Sequence, residues 1–216
     1  MRSSPAPRLG FVTFGCFNKL VKVTPAVVAV WAEILRRIPT ARLVLKDAGL
    51  ADPDVRARWL AQFASQGVDG NRLDLLGRSD HLAYLDAYNR VDIALDPFPF
   101  NGGTTTAEAL WMGVPVVTLR GDHFVSRLGA SLLTGLGARE LIADSCNEYV
   151  EIATSLADDV PRLMQLRARL RQRMLTSPLC DGPRFTRGLE TAYRQMWHPW
   201  CAAQPAAKKM ATASIS

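Results

Sequence analysis

The sequence has no long hydrophobic run, no paired cysteines and no apolar segment behind its N-terminal charge. None of its apolar stretches approaches the length that a bilayer-spanning helix needs, so we expect no membrane anchor. The N-terminus lacks the features of a cleaved secretory signal. The four cysteines stand at none of the spacings of metal or redox motifs and are predicted to be free thiols. These absences favour a cytoplasmic location.

The signatures of several enzyme classes are absent as well. No GxGxxG follows the first predicted strand and no Walker sequence occurs, which argues against NAD enzymes and P-loop ATPases. The Asp52-Pro53-Asp54 run fits a helix start better than a metal-binding DxD. We find no metal-ligand cluster and no Ser-His-Asp or Cys-His order typical of nucleophilic catalysis. The sequence therefore predicts neither a metal nor a cofactor.

The charge of the chain points to an anionic partner. A net charge of +6 leaves phosphate ligands, nucleic acid and acidic surfaces open. Much of the excess positive charge lies in one predicted helical segment, in which arginines are interspersed with apolar residues. These arginines are Arg162, Arg167, Arg169, Arg171 and Arg173. No aromatic residue lies among them, so a solvated amphipathic helix is favoured over a nucleic-acid patch. We predict no nucleic-acid and no membrane partner.

Strands and helices alternate along most of the 216 residues, a length that can bury a sizeable core. The predicted strands are residues 11–14, 41–46, 72–76, 91–95, 114–119 and 140–143, with helices between them and further helices at the C-terminus. This alternation predicts an α/β fold with a doubly wound, Rossmann-like parallel sheet. We assign residues 10–200 to one domain, and expect residues 1–9 and 201–216 to be disordered.

The segment 95–118 carries the clearest functional pattern. A buried strand ends in two prolines, and Gly102 and Gly103 then remove Cβ atoms so that the backbone can approach a ligand. A helix follows, and its N-cap is predicted to be one of the threonines at 104–106. A strand, a glycine-rich turn and a helix N-terminus together make an anion-binding cradle.

Three polar or glycine-rich loops follow predicted strands at 15–22, 77–81 and 101–106. The carboxyl ends of parallel strands meet at one edge of a sheet, so we expect these loops to form one site. Lys19 and Lys22 can supply charge to a diphosphate, or can be ordinary surface lysines. Glu108 can accept both hydroxyls of a ribose, or can complement the helix dipole. His81 can stack on a base, or can serve only as a helix-start residue.

Several motifs also match a known family in order and spacing. They are FNKLVKVTP (17–25), WAEILRRIP (31–39), NGGTT (101–105), EALWMGVP (108–115), SRLGAS (126–131) and YRQMW (193–197). Together they closely resemble the C-terminal catalytic lobe of the protein O-GlcNAc transferase family, including its bacterial TPR-linked and SPINDLY-like members. The resemblance covers about residues 11–200. It implies that the chain is the second of the two Rossmann-like lobes of a GT-B glycosyltransferase.

The resemblance also implies roles for individual residues. Lys22 matches the lysine that neutralises the leaving UDP diphosphate, and Lys19 stands where relatives commonly have Gln or Asn in contact with the donor. Arg78 and His81 fall in the loop that holds uracil, where the family often has Lys instead of Arg78. Glu108 matches the acid that binds ribose. The phosphate-binding helix start of the family corresponds to Asn101, Gly102, Gly103, Thr104 and Thr105.

The implied reaction is the inverting, metal-free transfer of GlcNAc from UDP-GlcNAc to a Ser or Thr hydroxyl of a protein. In the family, a first lobe and TPR repeats precede this region, whereas only about ten residues do here. We therefore expect that the chain is either a fragment or a split-gene product, and that it pairs with a separate chain carrying the first lobe and TPR repeats. The alternative is a catalytically silent UDP-sugar-binding or interaction module. A UDP-sugar epimerase of the same architecture fits the NGGTT run and the Lys22 loop less well.

Overall fold

Strands and helices alternate in the computed structural model, which describes residues 5–203. The strands are β1 (Thr13–Cys16), β2 (Arg42–Lys46), β3 (Leu73–Leu76), β4 (Ile93–Leu95), β5 (Val116–Leu119) and β6 (Ile142–Ala143). The helices are α1 (Ala6–Leu9), α2 (Pro25–Arg37), α3 (Pro53–Ala64), α4 (His81–Ala87), α5 (Thr104–Trp111), α6 (Leu128–Leu136), α7 (Cys146–Asp158), α8 (Val160–Leu175) and α9 (Gly182–Ala203).

The six strands form one parallel sheet in the order β3-β2-β1-β4-β5-β6. The winding reverses between β1 and β4, where Phe14 lies opposite both Leu43 of β2 and Ile93 of β4. These side chains are fully buried because helices cover both faces of a parallel sheet. The predicted doubly wound α/β fold is confirmed, and the β1/β4 reversal is where such sheets bind ligands.

The first strand lies two residues later than the sequence predicted, and it includes Gly15. A Cβ built on Gly15 would lie 2.5 Å from Cγ2 of Val91, so only glycine fits here without displacing that side chain. The strand is further held by Asp92, whose Oδ2 accepts the amide of Thr13 at 2.8 Å. Glycine in this strand therefore serves close packing and does not mark a loop.

Local helix signals were predicted correctly at two starts. The Thr24 hydroxyl accepts the amide of Val27 at 3.4 Å, with Pro25 in the first position of α2. The Asp52 carboxylate accepts the amides of Asp54 and Val55, which confirms that the Asp-Pro-Asp run begins a helix. Both signals lie within three residues, so no tertiary contact was needed to recognise them.

A short part of each end that was predicted to be disordered is helical, while residues 1–4 lie outside the described part of the chain. Residues 5–9 are ordered, because α1 packs on the sheet: Ala6 is buried, and its amide donates to Asp92 Oδ1 at 3.1 Å. Helix α9 continues through Ala203, three residues into the predicted C-terminal tail. Residues 204–216 lie outside the described part of the chain. Among residues 5–203, no helix combines the length and the apolar character required to cross a bilayer.

The arginine-rich segment is the amphipathic helix α8, as predicted, but one arginine is not solvated. Arg167 is only 4% exposed, and its Nη1 donates to the carbonyls of Val91 (2.8 Å) and Asp92 (2.9 Å), directly before β4. The guanidinium satisfies two buried carbonyls that precede the strand, and burial lowers its pKa. Arg167 therefore links α8 to the central sheet.

Helix α9 contrasts with the other long helices because none of its residues is buried. Its large apolar residues are spaced at helical intervals and are 39–68% exposed. We call them the α9 stripe: Phe185, Leu189, Tyr193, Met196, Trp197 and Trp200. The rings of Trp197 and Trp200 stack at a centroid distance of 4.9 Å. Large exposed apolar patches are typical of interaction sites.

Candidate functional site

The three predicted loops meet at the carboxyl edge of the sheet around the β1/β4 reversal. The cradle is formed by the turn after β4 and by the first turn of α5. Its N-cap is Gly103, and no side chain caps the helix. The threonines were wrongly predicted to cap it. The Thr105 hydroxyl instead donates to Asn18 Oδ1 at 2.8 Å, and Thr106 is buried with its hydroxyl 3.4 Å from Asp96 Oδ1. Among residues 5–203, no side chain therefore accepts from the N-terminus of α5, which suits an anion.

A buried carboxylate supports the cradle from below. Asp96 Oδ1 accepts the amide of Gly102 at 2.7 Å, and Oδ2 accepts the Thr118 hydroxyl at 2.7 Å. Burial raises the pKa of Asp96 to about 7, while these donors and the charge of Lys22 act in the opposite direction. Sequence reasoning missed Asp96, because an Asp-Pro after a strand is an ordinary turn signal.

The two glycines of the cradle, Gly102 and Gly103, have different structural roles. The Gly102 amide is taken by Asp96, and a Cβ there would lie 2.5 Å from the Thr106 hydroxyl and 2.6 Å from that of Thr105. Gly102 therefore permits the packing of the turn. We had expected its backbone to approach a ligand, but its amide already donates to Asp96. A Cβ on Gly103 would meet nothing within 4 Å, so the backbone there is open to an incoming group.

Lys22 lies at the mouth of the cradle, as the loop convergence predicted. It closes a 3-10 turn, Leu20–Lys22, and its Nζ donates to the Asn101 carbonyl at 2.9 Å and to Asn18 Oδ1 at 3.4 Å. The ammonium also lies 4.1 Å from the centroid of the Phe100 ring. Asn18, which sequence reasoning missed, thus connects Lys22 to Thr105.

Lys19 is exposed, and no hydrogen bond or ion pair joins its side chain to another of the residues 5–203. The structure therefore does not bring Lys19 into the cradle as it does Lys22.

Asn101 is fully buried, and its amide nitrogen donates to the carbonyls of Pro97 (3.0 Å) and Leu119 (3.4 Å). Its backbone amide donates to the Val125 carbonyl at 3.0 Å. Asn101 Oδ1 is buried without a partner among the described residues. The Asn101 carbonyl thus holds Lys22, and its side-chain amide holds the turn after β4.

Glu108 is held by a tyrosine pair that sequence reasoning did not identify. Tyr84 donates to Glu108 Oε2 at 2.9 Å, and its oxygen lies 3.2 Å from that of Tyr88, which donates to the Thr105 carbonyl at 3.1 Å. Burial, and then the neighbouring Glu108, raise the pKa of the Tyr84 phenol. The i,i+4 spacing of the two tyrosines was visible, but their partners on α5 were not.

The 77–81 loop joins the site through the same helix. The ring of His81 lies nearly parallel to that of Tyr84, with a centroid distance of 6.4 Å, and Asp80 caps α4. Lys46, at the end of β2, donates to the Gly77 carbonyl at 2.9 Å and anchors the loop. Arg78 is exposed beside them. The structure thus brings Lys22, the cradle, Glu108 and the His81 loop to one edge of the sheet.

Comparison with known proteins is consistent with this geometry. The profile of Glycosyl transferase family 41 matches residues 8–189. A barley protein, described as a probable UDP-N-acetylglucosamine–peptide N-acetylglucosaminyltransferase SPINDLY, is 46% identical over 202 residues, which are 92% of this chain and 21% of the relative. The Arabidopsis thaliana protein of the same description is 44% identical over 96% of this chain and 23% of its own.

Among solved structures, a mutant O-GlcNAc transferase of Thermobaculum terrenum aligns with a TM-score of 0.86 and 44% identity, over 89% of this chain and 37% of that protein. An Anabaena protein, HepE, solved in complex with UDP and glucose, shares the fold with a TM-score of 0.59 at 17% identity.

The fold and the site therefore define a Rossmann-like lobe of a GT-B glycosyltransferase. Within that class, the chain belongs to glycosyltransferase family 41 and is a C-terminal lobe similar to those of SPINDLY and O-GlcNAc transferase proteins. It spans about a fifth of the length of the curated relatives that it matches.

Proposed function

We propose that this chain is the donor-binding lobe of an inverting glycosyltransferase that moves GlcNAc from UDP-GlcNAc to Ser or Thr hydroxyls of proteins. One observation carries the proposal: the Lys22 ammonium is fixed 2.9 Å from the Asn101 carbonyl, at the mouth of the uncapped helix start of α5. A lysine and a helix N-terminus that converge on one point form a site for the diphosphate of a nucleotide sugar.

The proposed reaction breaks the bond between the anomeric carbon and the β-phosphate oxygen while the acceptor oxygen attacks. The electron pair leaves with UDP, and the proton of the acceptor hydroxyl is released to solvent. Lys22 and the amides at Gly103, Thr104 and Thr105 stabilise the negative charge that grows on the diphosphate, so they bind the transition state more tightly than the substrate. This role needs no metal. Among the described residues, no group of three or more His, Cys, Asp or Glu side chains is placed to hold one.

The rest of the donor is assigned to neighbouring residues. Glu108 uses Oε2 to accept from Tyr84, and we propose that its second oxygen accepts from the ribose hydroxyls. His81 stacks on uracil, with Arg78 beside it in the same loop. Lys19 contacts the distal, sugar end of the donor. These roles follow the family resemblance, and the placement of all but Lys19 around one edge of the sheet supports them.

The acceptor side requires a further lobe, in the same protein or in a separate chain that also carries the TPR repeats. The α9 stripe supports this, because helices in proteins gain most of their stability by packing an apolar face, and no residue of α9 is buried. The stripe equally supports the alternative, a silent UDP-sugar-binding or interaction module. A cytoplasmic location is part of the proposal.

The direct test is calorimetric titration of the chain with UDP, UDP-GlcNAc and GDP-fucose. We expect the two uridine nucleotides to bind, and Lys22→Ala to weaken UDP binding about 10- to 100-fold, as expected for the loss of a charge-assisted contact. Lys19→Ala is the matched control and should weaken UDP binding at most a few-fold. Equal affinity of the Lys22→Ala variant and the wild type would refute the donor assignment.

A second experiment separates the enzyme from the silent module. The chain is mixed with a family 41 first lobe, and glycosylation of a serine peptide is followed by mass spectrometry. Transfer that requires both components supports the enzyme, and transfer should fail with Lys22→Ala. Formation of a complex without any transfer would favour the silent module.

A further inference from the structure

A second positively charged depression adjoins the cradle and takes no part in the proposed donor binding. It lies between α6 and the ends of β5 and β6, has a volume of about 490 Å³, and is lined by Arg120, Arg127 and Arg139. Such a volume is in the usual range of ligand sites. We call this depression the arginine groove.

Its positive charge is only partly balanced. Arg120 makes a bidentate pair with Asp144, at 2.8 Å from each carboxylate oxygen, and Asp144 is the one acidic residue in the lining. Arg127 and Arg139 are exposed, and neither has a hydrogen-bond or ion-pair partner among residues 5–203. Glu140, next to Arg139, faces Arg173 instead, at 4.0 Å. Two guanidinium groups therefore remain available to an anion.

The groove shares a wall with the cradle. Asn101, whose carbonyl holds Lys22, donates from its backbone to Val125 (3.0 Å) and from its side chain to Leu119 (3.4 Å). Leu119 directly precedes Arg120, and Val125 lies in the 3-10 turn, Phe124–Ser126, that directly precedes Arg127. An extended ligand in the groove would therefore pass beside the diphosphate end of the donor.

The form of the groove suits a polypeptide better than a small ion. Its volume is many times that of a phosphate ion, and the ring of Phe124 lines it while remaining 80% exposed. An apolar ring beside two unpaired guanidinium groups can contact the aliphatic and the carboxylate parts of one peptide segment. We infer that the arginine groove binds Asp or Glu side chains of the acceptor polypeptide near the hydroxyl that is modified. This inference deepens the proposed function and rests on it.

The test is fluorescence anisotropy with a labelled serine peptide that carries Asp and Glu, and with its Asn and Gln counterpart. We expect the acidic peptide to bind the wild-type chain about tenfold more tightly at moderate salt, from two exposed ion pairs. Arg127→Ala/Arg139→Ala should remove that preference. Arg58→Ala/Arg169→Ala, at exposed arginines of α3 and α8, should keep it.

UDP titration of the same variants distinguishes the two claims. The Arg127→Ala/Arg139→Ala variant should keep its UDP affinity and its thermal melting temperature, since both side chains are exposed. If this variant also kept the preference for the acidic peptide, the inference would be overturned and the donor site would stand. The same holds if inorganic phosphate bound the groove while the acidic and the neutral peptide bound equally. If UDP failed to bind but the acidic preference remained, the proposed function would fail and the groove would stand as an acidic-peptide site.

Discussion

Replacing Asp96 by Asn tests whether the carboxylate beneath the cradle is as buried as its contacts indicate. Asn has the same shape, can accept from the Gly102 amide, and can donate to the Thr118 oxygen, so the hydrogen-bond pattern survives. The substitution removes only the ionisable carboxyl group. Any change in the pH dependence of stability between the two proteins therefore reports the charge of Asp96.

The sign follows from the pKa in the two states. The pKa of Asp96 rises from 3.8 to about 7 on folding, chiefly through desolvation. Between these values the folded state holds a proton that the unfolded state has lost, so the free energy of unfolding falls as pH rises from about 4 to about 7. A rise of roughly 3 pKa units corresponds to at most about 4 kcal/mol. The free energy of unfolding of Asp96→Asn should lack this fall with rising pH.

Urea unfolding of both proteins at about pH 5 and about pH 8 provides the measurement. As the pH rises from about 5 to about 8, we expect the free energy of unfolding of Asp96→Asn to gain about 2–3 kcal/mol relative to that of the wild type. The other titrating groups that face Asp96 are Cys16, Lys22 and Tyr149, and they are present in both proteins. A difference below about 1 kcal/mol would refute the reasoning. If the variant does not fold, ¹³C NMR titration of the wild-type carboxyl must show a midpoint well above 3.8.

Three further substitutions have defined outcomes. Gly129→Ala places a Cβ against the Thr118 hydroxyl and Asp96 Oδ2, and should lower the free energy of unfolding by about 1–3 kcal/mol in urea denaturation. Arg167→Met leaves two carbonyls without their donor, and should cost about 1–3 kcal/mol in the same assay; an unchanged midpoint would contradict that role. Tyr84→Phe releases Glu108 from its hydrogen bond, and should weaken UDP binding about 3- to 10-fold by calorimetry. Unchanged UDP affinity of Tyr84→Phe would contradict the proposed contact between Glu108 and the ribose.

Local and topological features of this protein could be predicted from sequence. The caps at Thr24 and Asp52 act within three residues, and the alternation of strands and helices determined the parallel sheet. The convergence of the Lys22 loop on the cradle followed because strands of such a sheet end at one edge.

The features that were missed depend on contacts between distant segments. Asp96 pairs with Thr118 of the next strand, Tyr84 with Glu108, and Arg167 with carbonyls 76 and 75 residues away. Nothing in the local pattern distinguishes these side chains from ordinary turn or surface residues. The same limitation explains the wrong prediction of a threonine cap, because the hydroxyls of Thr105 and Thr106 are used by Asn18 and Asp96.

We propose that the uncapped start of α5, together with Lys22, holds the diphosphate of UDP. A ¹H–¹⁵N NMR titration of the chain with UDP tests it at individual residues. We predict the largest shifts at the amides of Gly103, Thr104 and Thr105, a smaller shift at Gly102 because its amide already donates to Asp96, and none along α9. The absence of shifts at the start of α5, or largest shifts in the arginine groove or α9, would contradict the account.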